Sequence, residues 1–552
     1  MSSSIQSIRQ GRAAEARGDS AGALLHYTEA LAAEPHNAKA WTRVGMIMVQ
    51  LMKWQEAAEQ LQLARHLDAE DAEAAHGLAV ALFHTGQTAG ALEQIDDAAR
   101  LAPEDWRIAG SQAYMHAATE ADPARTLALY RSWGERFADP LAAQARPFEN
   151  DRSPGRRLRI GYVTADFREH SVAFFMEPVL ANHDPDAVEV FVYSSGRADA
   201  ITERMRAHVP NWHDVAALGD DALYELIRSH RIDVLIDLSG HTVGQRLFVF
   251  ARRAAPVQVT WLGFMHTLGM RAIDYRITDG GVDPPGNERW YVERLFRVSC
   301  MASYSPPPDS PLRAEPPLLE NGFATLISLN NAKKLTDPML SLWGRILQAR
   351  PTAQLVLMVQ ERNPQDARAQ IEPRLARLGL PVERVLVSPQ LPLREFMQLG
   401  HIADVALDTA PISGGTTSLH ALWMGLPIVA MDAEEAAQAA TARTLQGLGL
   451  GQWVARDADQ YLATALALID DPARLREHRA GIRQRMLASA PMDYRGRAAE
   501  LERALRLMWA NHLIGEPRYL HTDVDLDQAL RECAAVGQPR AAPTLPRPAM
   551  TE

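Results

Sequence analysis

The first 130 or so positions distribute small and large apolar residues on a period of 34. Gly11 and Gly45 share one register, Ala23, Ala57 and Ala91 a second, Tyr27, Leu61 and Ile95 a third, and Ala30, Ala64 and Ala98 a fourth. A fifth runs through Pro35, Ala69 and Pro103. Small residues suit positions where two helices approach closely, large ones the packing of a helix pair on its neighbour, and proline the end of a second helix. The pattern predicts helix pairs of tetratricopeptide type, three of them full and a fourth, from Trp106 to about Trp133, more eroded.

Past Phe148 the pattern changes. Glu149-Asn150-Asp151-Arg152-Ser153-Pro154-Gly155 has linker composition. Short, nearly continuous apolar runs follow at 158–163, 188–193, 234–237 and 257–261. Runs of this kind are what parallel strands covered on both faces require. A second set begins near Thr325 and continues at 355–359, 385–388, 405–408 and 428–431. Strands alternating with helical stretches predict two doubly wound halves, joined through the proline-rich stretch 305–317, with a ligand expected in the cleft between them. The expected fold class is thus α-helical tetratricopeptide repeats followed by an α/β region of two Rossmann-like domains. The boundaries are placed at 1–135 for the repeats, 136–156 for the linker, 157–317 and 318–515 for the two halves, and 516–552 for a tail, disordered from about Gln538.

Composition narrows the function without naming it. The chain has 552 residues, 47% of them hydrophobic and 23% charged, which is ordinary for globular material of about three domains. A net charge of -11 argues against a protein that works by coating nucleic acid or an anionic membrane. Two cysteines, Cys300 and Cys533, give neither a disulfide framework nor a cysteine metal site. Neither a leader-type apolar run nor a span of membrane length is evident, so a reducing, cytoplasmic setting is expected.

The chemistry is concentrated at strand ends. Lys334, in Asn330-Asn331-Ala332-Lys333-Lys334, lies between a strand-like run and a helix. Ser413-Gly414-Gly415-Thr416-Thr417 follows the strand at 405–408 and opens another helix. A basic side chain and a helix N-terminus at the ends of parallel strands are what a diphosphate needs, with Thr416, Thr417 and nearby N–H groups as further donors. In the first half, Asp166 and His170 lie just past the first strand, where a histidine suits proton transfer. Asp237 and His241, in Ile236-Asp237-Leu238-Ser239-Gly240-His241-Thr242, read equally as an acid/base or sugar-binding pair and as a turn cap with a histidine packed on it. Gly263 follows a strand and could let backbone approach a ligand. Asp457-Ala458-Asp459 and Asp523-Val524-Asp525 have Asp-x-Asp form and are expected to cap helices.

In these residues the chain resembles the tetratricopeptide-linked protein O-glycosyltransferases, the O-GlcNAc transferase and Spindly group. The carriers are the segments 161–172, 232–242, 255–263 and 274–279, the Lys334 segment, and 414–425. The resemblance implies a GT-B glycosyltransferase fold, an inverting transfer without a metal cofactor, a nucleotide sugar as co-substrate, and a Ser or Thr hydroxyl of a protein bound through the repeats as acceptor. It implies that Lys334 meets the donor diphosphate with Asn331 beside it, that His170 lies near sugar and acceptor, and that Gly263 backs the sugar. It further implies phosphate binding by Thr416 and Thr417, with Gly414 and Gly415 before them, and a nucleoside lined by Phe396 and His420. Gly415 and His420 stand where O-GlcNAc transferase has a histidine and an acidic residue, and Arg43 and Gly77 where its repeats carry asparagine. UDP-GlcNAc is the first expected donor and GDP-fucose the alternative. A repeat scaffold with a decayed transferase domain, and an epimerase or small-molecule glycosyltransferase on the same fold, are the rival readings.

Overall fold

The computed structural model describes residues 3–120, 122–361 and 363–535. Eight helices open the described chain: Ser3–Ala16, Ser20–Ala33, Ala38–Gln50, Trp54–Leu67, Ala72–His84, Thr88–Leu101, Trp106–Thr119 and Pro123–Trp133. Ala23, Tyr27, Ala30, Ala57, Leu61, Ala64, Ala91, Ile95 and Ala98 have no exposed surface, so three of the periodic registers form the repeat core. The glycine register has a steric cause. A Cβ at Gly11 would sit 2.8 Å from the Tyr27 ring, and one at Gly45 would sit 2.4 Å from Leu61 Cγ. The large side chain of one helix therefore occupies the space that its partner's glycine leaves. Both helices of the fourth, more eroded stretch are present, Trp106–Thr119 and Pro123–Trp133, despite its weaker pattern. Asp71 and Asp105 cap the entries to Ala72–His84 and Trp106–Thr119 by accepting from Ala74 N–H and Arg107 N–H.

Two parallel sheets follow. In the first, β1 (Leu158–Thr164), β2 (Val188–Ser194), β3 (Asn211–Asp214), β4 (Val234–Asp237), β5 (Val257–Thr260), β6 (Tyr275–Asp279) and β7 (Arg294–Val298) are ordered β3-β2-β1-β4-β5-β6-β7. In the second, β8 (Thr325–Ser328), β9 (Gln354–Met358), β10 (Val385–Ser388), β11 (Val405–Leu407), β12 (Ile428–Met431) and β13 (Val454–Ala455) are ordered β10-β9-β8-β11-β12-β13. Both are doubly wound, and in each the strand order reverses beside the first strand, β1 or β8. The expected fold class is borne out. The sequence pattern misses β3, β6, β7 and β13. β3 reads Asn-Trp-His-Asp on a sheet edge, β7 alternates Arg with apolar residues, and β13 is two residues long, so none is a buried apolar run.

The described chain forms two compact units. One holds the repeats up to Leu129 with Pro307–Arg485, and the other holds Tyr130–Pro306 with the chain from Met486. The crossing at Pro306 falls in the proline-rich connection. The end of the second half differs from the boundary expected at 515, because the helix Tyr494–Ile514 belongs to the first sheet's unit. Its Leu501, Ala504, Leu505, Met508 and Trp509 join the core built by Leu158, Ile160, Val188, Val234 and Val257. Arg506 donates to the Pro154 carbonyl at 3.2 Å, and Glu502 accepts from His183 Nδ1 at 2.7 Å. An apolar helix face is visible in a sequence, whereas the sheet it covers is not.

The linker composition at 149–155 covers an anchored segment. Asn150 Nδ2 and the Arg156 guanidinium converge on the buried Asp233 carboxylate at 2.6–2.7 Å. The tail contributes the helix Leu526–Ala535, with Ala529 and Cys533 buried in that same core. The disorder expected from Gln538 falls outside the described residues. Among the described residues, no helix is long and apolar enough to cross a membrane.

Candidate functional site

In the second sheet, the carboxyl ends of the adjacent strands β8 and β11 carry the polar residues. Asn330 leaves β8 and Asp408 leaves β11, and the two meet through Asn330 Nδ2 donating to Asp408 Oδ1 at 3.0 Å. Asp408 is 2% exposed and organises the glycine turn. It accepts Gly414 N–H at 2.7 Å on one oxygen and the Ser413 hydroxyl at 2.7 Å on the other. Thr441 locks the turn from behind. Its N–H donates to Ser413 Oγ at 2.9 Å, and its hydroxyl donates to the Gly414 carbonyl at 3.1 Å. A glycine is needed at 414, where a Cβ would lie 2.2 Å from Ser418 Oγ. At Gly415 a Cβ would meet nothing within 4 Å, so the backbone there borders open space. The helix Thr416–Trp423 starts at this point, and the first N–H groups of a helix have no partner within it.

Lys334 reaches the same place from the short 3-10 turn Ala332–Lys334. Its Nζ donates to the Ser413 carbonyl at 2.7 Å and lies 3.5 Å from Asn330 Oδ1, which also accepts the Thr417 hydroxyl at 3.2 Å. Burial pushes the lysine down to about 8; the Lys333 charge adds to this, and Asp408 opposes it. Lys334 is thus an ammonium at neutral pH, held by a carbonyl and an amide and ready for a stronger anion. Asn331 Oδ1 is buried with no hydrogen-bond partner, an acceptor that a ligand donor would satisfy. Phe396 and His420 meet edge to face with ring centroids 6.0 Å apart, and burial drives His420 down to about 4, so its ring is neutral. The structure therefore brings Lys334, Gly414, Gly415, Thr416 and Thr417 together through Asn330 and Asp408. It also pairs Phe396 with His420.

The expectations for the first sheet divide. Asp166 is buried beyond β1, and desolvation raises its carboxyl, with His170 and Arg168 opposing. His170 Nδ1 lies 3.6 Å from Asp166 Oδ1 and also accepts Val172 N–H at 3.3 Å as the cap of the helix Ser171–Asn182. The cap requires a lone pair on Nδ1 and puts the proton on Nε2, whereas a protonated Nδ1 faces the carboxylate and frees Nε2 to accept a proton.

Asp237 and His241 are arranged as a turn cap and a packed histidine, the plainer of the two sequence readings. Asp237 is 1% exposed and accepts Ser239 N–H at 3.2 Å, Gly240 N–H at 3.0 Å and the Thr260 hydroxyl at 3.0 Å. Burial raises it to about 6. His241 Nε2 donates to the Leu268 carbonyl at 2.9 Å. Its ring lies against Trp133, Tyr130 and Phe264, and desolvation lowers it to about 4. At Gly263 a Cβ would sit 1.7 Å from the Leu238 carbonyl oxygen, so the protein's own packing requires glycine there. The loop beyond Gly263 is pinned by the buried Arg276, which donates to the Phe264 and His266 carbonyls. Glu293 holds it from the other side by accepting from the Thr267 hydroxyl at 2.6 Å and Leu268 N–H at 2.7 Å. Asp457 and Asp525 cap helices, accepting from Gln460 and Gln528 N–H.

Sequence reasoning passed over Asp408, Asn330 and Thr441 as site residues. The available signal was an aspartate closing an apolar strand five residues before a Ser-Gly-Gly turn, where a carboxylate is placed to bind the turn's N–H groups.

The glycosyl transferase family 41 model matches residues 141–301 and 319–501. The chain belongs to glycosyl transferase family 41. Among relatives of this family 41 chain, a Petunia hybrida protein named a probable UDP-N-acetylglucosamine–peptide N-acetylglucosaminyltransferase SPINDLY is 35% identical over 76% of the chain and 45% of its own length. The Arabidopsis thaliana protein SEC, with the same probable activity in its name, is 29% identical over 65% of the chain and 38% of its own. The chain thus spans under half the length of these plant relatives. A solved point mutant of the Thermobaculum terrenum O-GlcNAc transferase is 35% identical, covers 92% of the chain and 98% of its own, and superposes with a TM-score of 0.82. The family expected from the sequence motifs is borne out.

Proposed function

We propose that this family 41 chain transfers a sugar from a nucleoside-diphosphate donor to a serine or threonine hydroxyl of a polypeptide, with UDP-GlcNAc the first donor. The carrying observation is the cradle in the second sheet: an ammonium at Lys334, the Gly415 backbone beside open space, and a helix N-terminus, held together through Asp408 and Asn330. These are the groups a departing diphosphate calls for. The acceptor oxygen forms a bond to the anomeric carbon as the bond to the β-phosphate oxygen breaks, with inversion. The nucleoside diphosphate leaves with the electron pair, and the acceptor proton passes to a base. Lys334 and the Thr416 helix end stabilise the charge on the leaving phosphate, so the residues of this chain supply that stabilisation without a metal cofactor. In its own unit, His170 is the candidate base: with its proton on Nδ1 facing Asp166, a tautomer that gives up the Val172 cap, Nε2 is free to take the acceptor proton. The neutral His420 and Phe396 offer ring surfaces to a nucleoside. The names of the plant relatives and of the Thermobaculum transferase support N-acetylglucosamine as the sugar and a peptide as the acceptor, and the repeats supply an extended surface for a polypeptide.

The test is calorimetry with UDP, GDP, UDP-GlcNAc and GDP-fucose, followed by mass spectrometry of a Ser/Thr peptide library incubated with the donor that binds. Lys334-dependent binding of UDP and UDP-GlcNAc, with N-acetylhexosamine on the peptides, is expected. A GDP-fucose preference with deoxyhexose on the peptides would replace the donor assignment. Binding to none of the four, or binding without sugar transfer, would overturn the reading.

A further inference from the structure

The turn that presents Lys334 is in contact with the repeats, inside one compact unit. Lys333, its neighbour, turns away from the glycine loop. Its Nζ donates to the Tyr114 hydroxyl at 3.1 Å and lies 5.5 Å from the centre of the Tyr114 ring. Tyr114 is itself fixed edge to face on Phe83, a core residue of the third repeat, with centroids 5.9 Å apart. The turn closing the helix Ala72–His84 approaches the same segment. Gly86 has φ +76, and a Cβ on it would lie 3.1 Å from the Ala332 carbonyl and 2.3 Å from Arg374 Nη1. Arg374 in turn ion-pairs with Asp337 at 2.6 Å and donates to the Leu335 carbonyl, while the His84 carbonyl accepts from Gln370 Nε2 at 3.4 Å. The segment 332–337 is thus clamped by Arg374 on one side and seated on the third and fourth repeats on the other.

We infer that Tyr114 is a positioning residue of the donor site: by holding Lys333 it fixes the Ala332–Lys334 turn, and with it the reach of Lys334 to the diphosphate. The inference rests on the role given to Lys334 above. A lysine side chain has several soft torsions, so an anchor on the adjacent residue limits the ordering that a ligand must otherwise impose. The contact is a hydrogen bond to the hydroxyl: 3.1 Å from that oxygen and 5.5 Å from the ring centre, the ammonium lies off the hydroxyl edge of the ring and not over its face.

The test is a double-mutant cycle of Tyr114→Leu and Lys333→Met, with Tyr114→Phe as the conservative variant. It is read by calorimetry with whichever of UDP or GDP the wild type binds, alongside thermal melts without ligand and the Lys334→Met variant. Tyr114→Leu and Lys333→Met are each expected to weaken the nucleotide about threefold to tenfold, with the double variant no weaker than either single one. Tyr114→Phe, which keeps the ring on Phe83 and removes the acceptor, is expected to weaken the nucleotide to the same extent. The ligand-free melting temperatures of Tyr114→Phe and Lys333→Met are expected to move little, so a loss of affinity in these two is not a loss of packing. Wild-type affinity in Tyr114→Leu, or additive losses in the double variant, would overturn the inference while leaving the donor site standing. Unchanged binding in Lys334→Met would remove the donor-site reading and this inference with it.

Discussion

Replacing Lys334 by methionine separates what the lysine does for the fold from what it does for the ligand. In the ligand-free protein the ammonium is carried into a buried place at a cost, because its pKa falls from 10.5 to about 8. At about 1.4 kcal/mol per pH unit, that is on the order of 3 kcal/mol of charge burial at pH 7. The variant avoids this cost and loses the hydrogen bond to the Ser413 carbonyl, worth about 1 kcal/mol. Its melting temperature should therefore equal or exceed that of wild type. The sign with pH follows from the same shift. Between about 8 and 10.5 the unfolded chain binds a proton that the folded one does not, so wild type gains stability relative to the variant as pH rises through that window. Nucleotide binding should behave in the opposite sense. Loss of the charged donor weakens UDP or GDP by about tenfold to a hundredfold and lowers turnover by about a hundredfold to a thousandfold. Wild-type affinity should fall above pH 8 as the ammonium is lost, whereas that of the variant should be flat there. Calorimetry from pH 6.5 to 9.5 with parallel denaturant melts measures both. A variant that binds nucleotide as wild type does, or loses binding only because it unfolds, would refute the assignment.

Three further outcomes follow from the geometry. Asp408→Ala strips the acceptor from Ser413 Oγ, Gly414 N–H and Asn330 Nδ2, and should cost about 3 kcal/mol or more in urea denaturation together with nucleotide binding. Gly263→Ala forces a Cβ onto the Leu238 carbonyl and should cost at least about 2 kcal/mol; an unchanged melting temperature would mean that the loop lies elsewhere. Asp237, raised by burial to about 6, favours folding most when protonated. The stability of wild type over Asp237→Asn should therefore shrink by about 1 kcal/mol as pH rises from 5 to 7.5, and a flat difference across denaturation curves would contradict the burial of that carboxyl.

The sequence encodes the repeats openly, because each register is set by the size of a side chain at a fixed spacing. Gly11 opposite Tyr27 and Gly45 opposite Leu61 leave the same mark 34 residues apart. It also determined most parallel strands, whose two buried faces enforce continuous apolar runs, and it placed Lys334 and the Gly414-Gly415 turn at strand ends. Family membership was legible through the same ordered motifs. Everything else depends on the pairing of residues that lie far apart in the chain. Asn330 and Asp408 become partners because β8 and β11 are neighbours in the sheet, 78 positions apart in the chain. The helix Tyr494–Ile514 has an apolar face that either sheet could have covered, and only packing assigned it to the first. That Gly263 has no room for a side chain, because the Leu238 carbonyl fills that space, follows only from the packing of two loops. Tyr114 on Lys333 depends on how a repeat seats against a loop 219 residues downstream, a choice that no local pattern encodes.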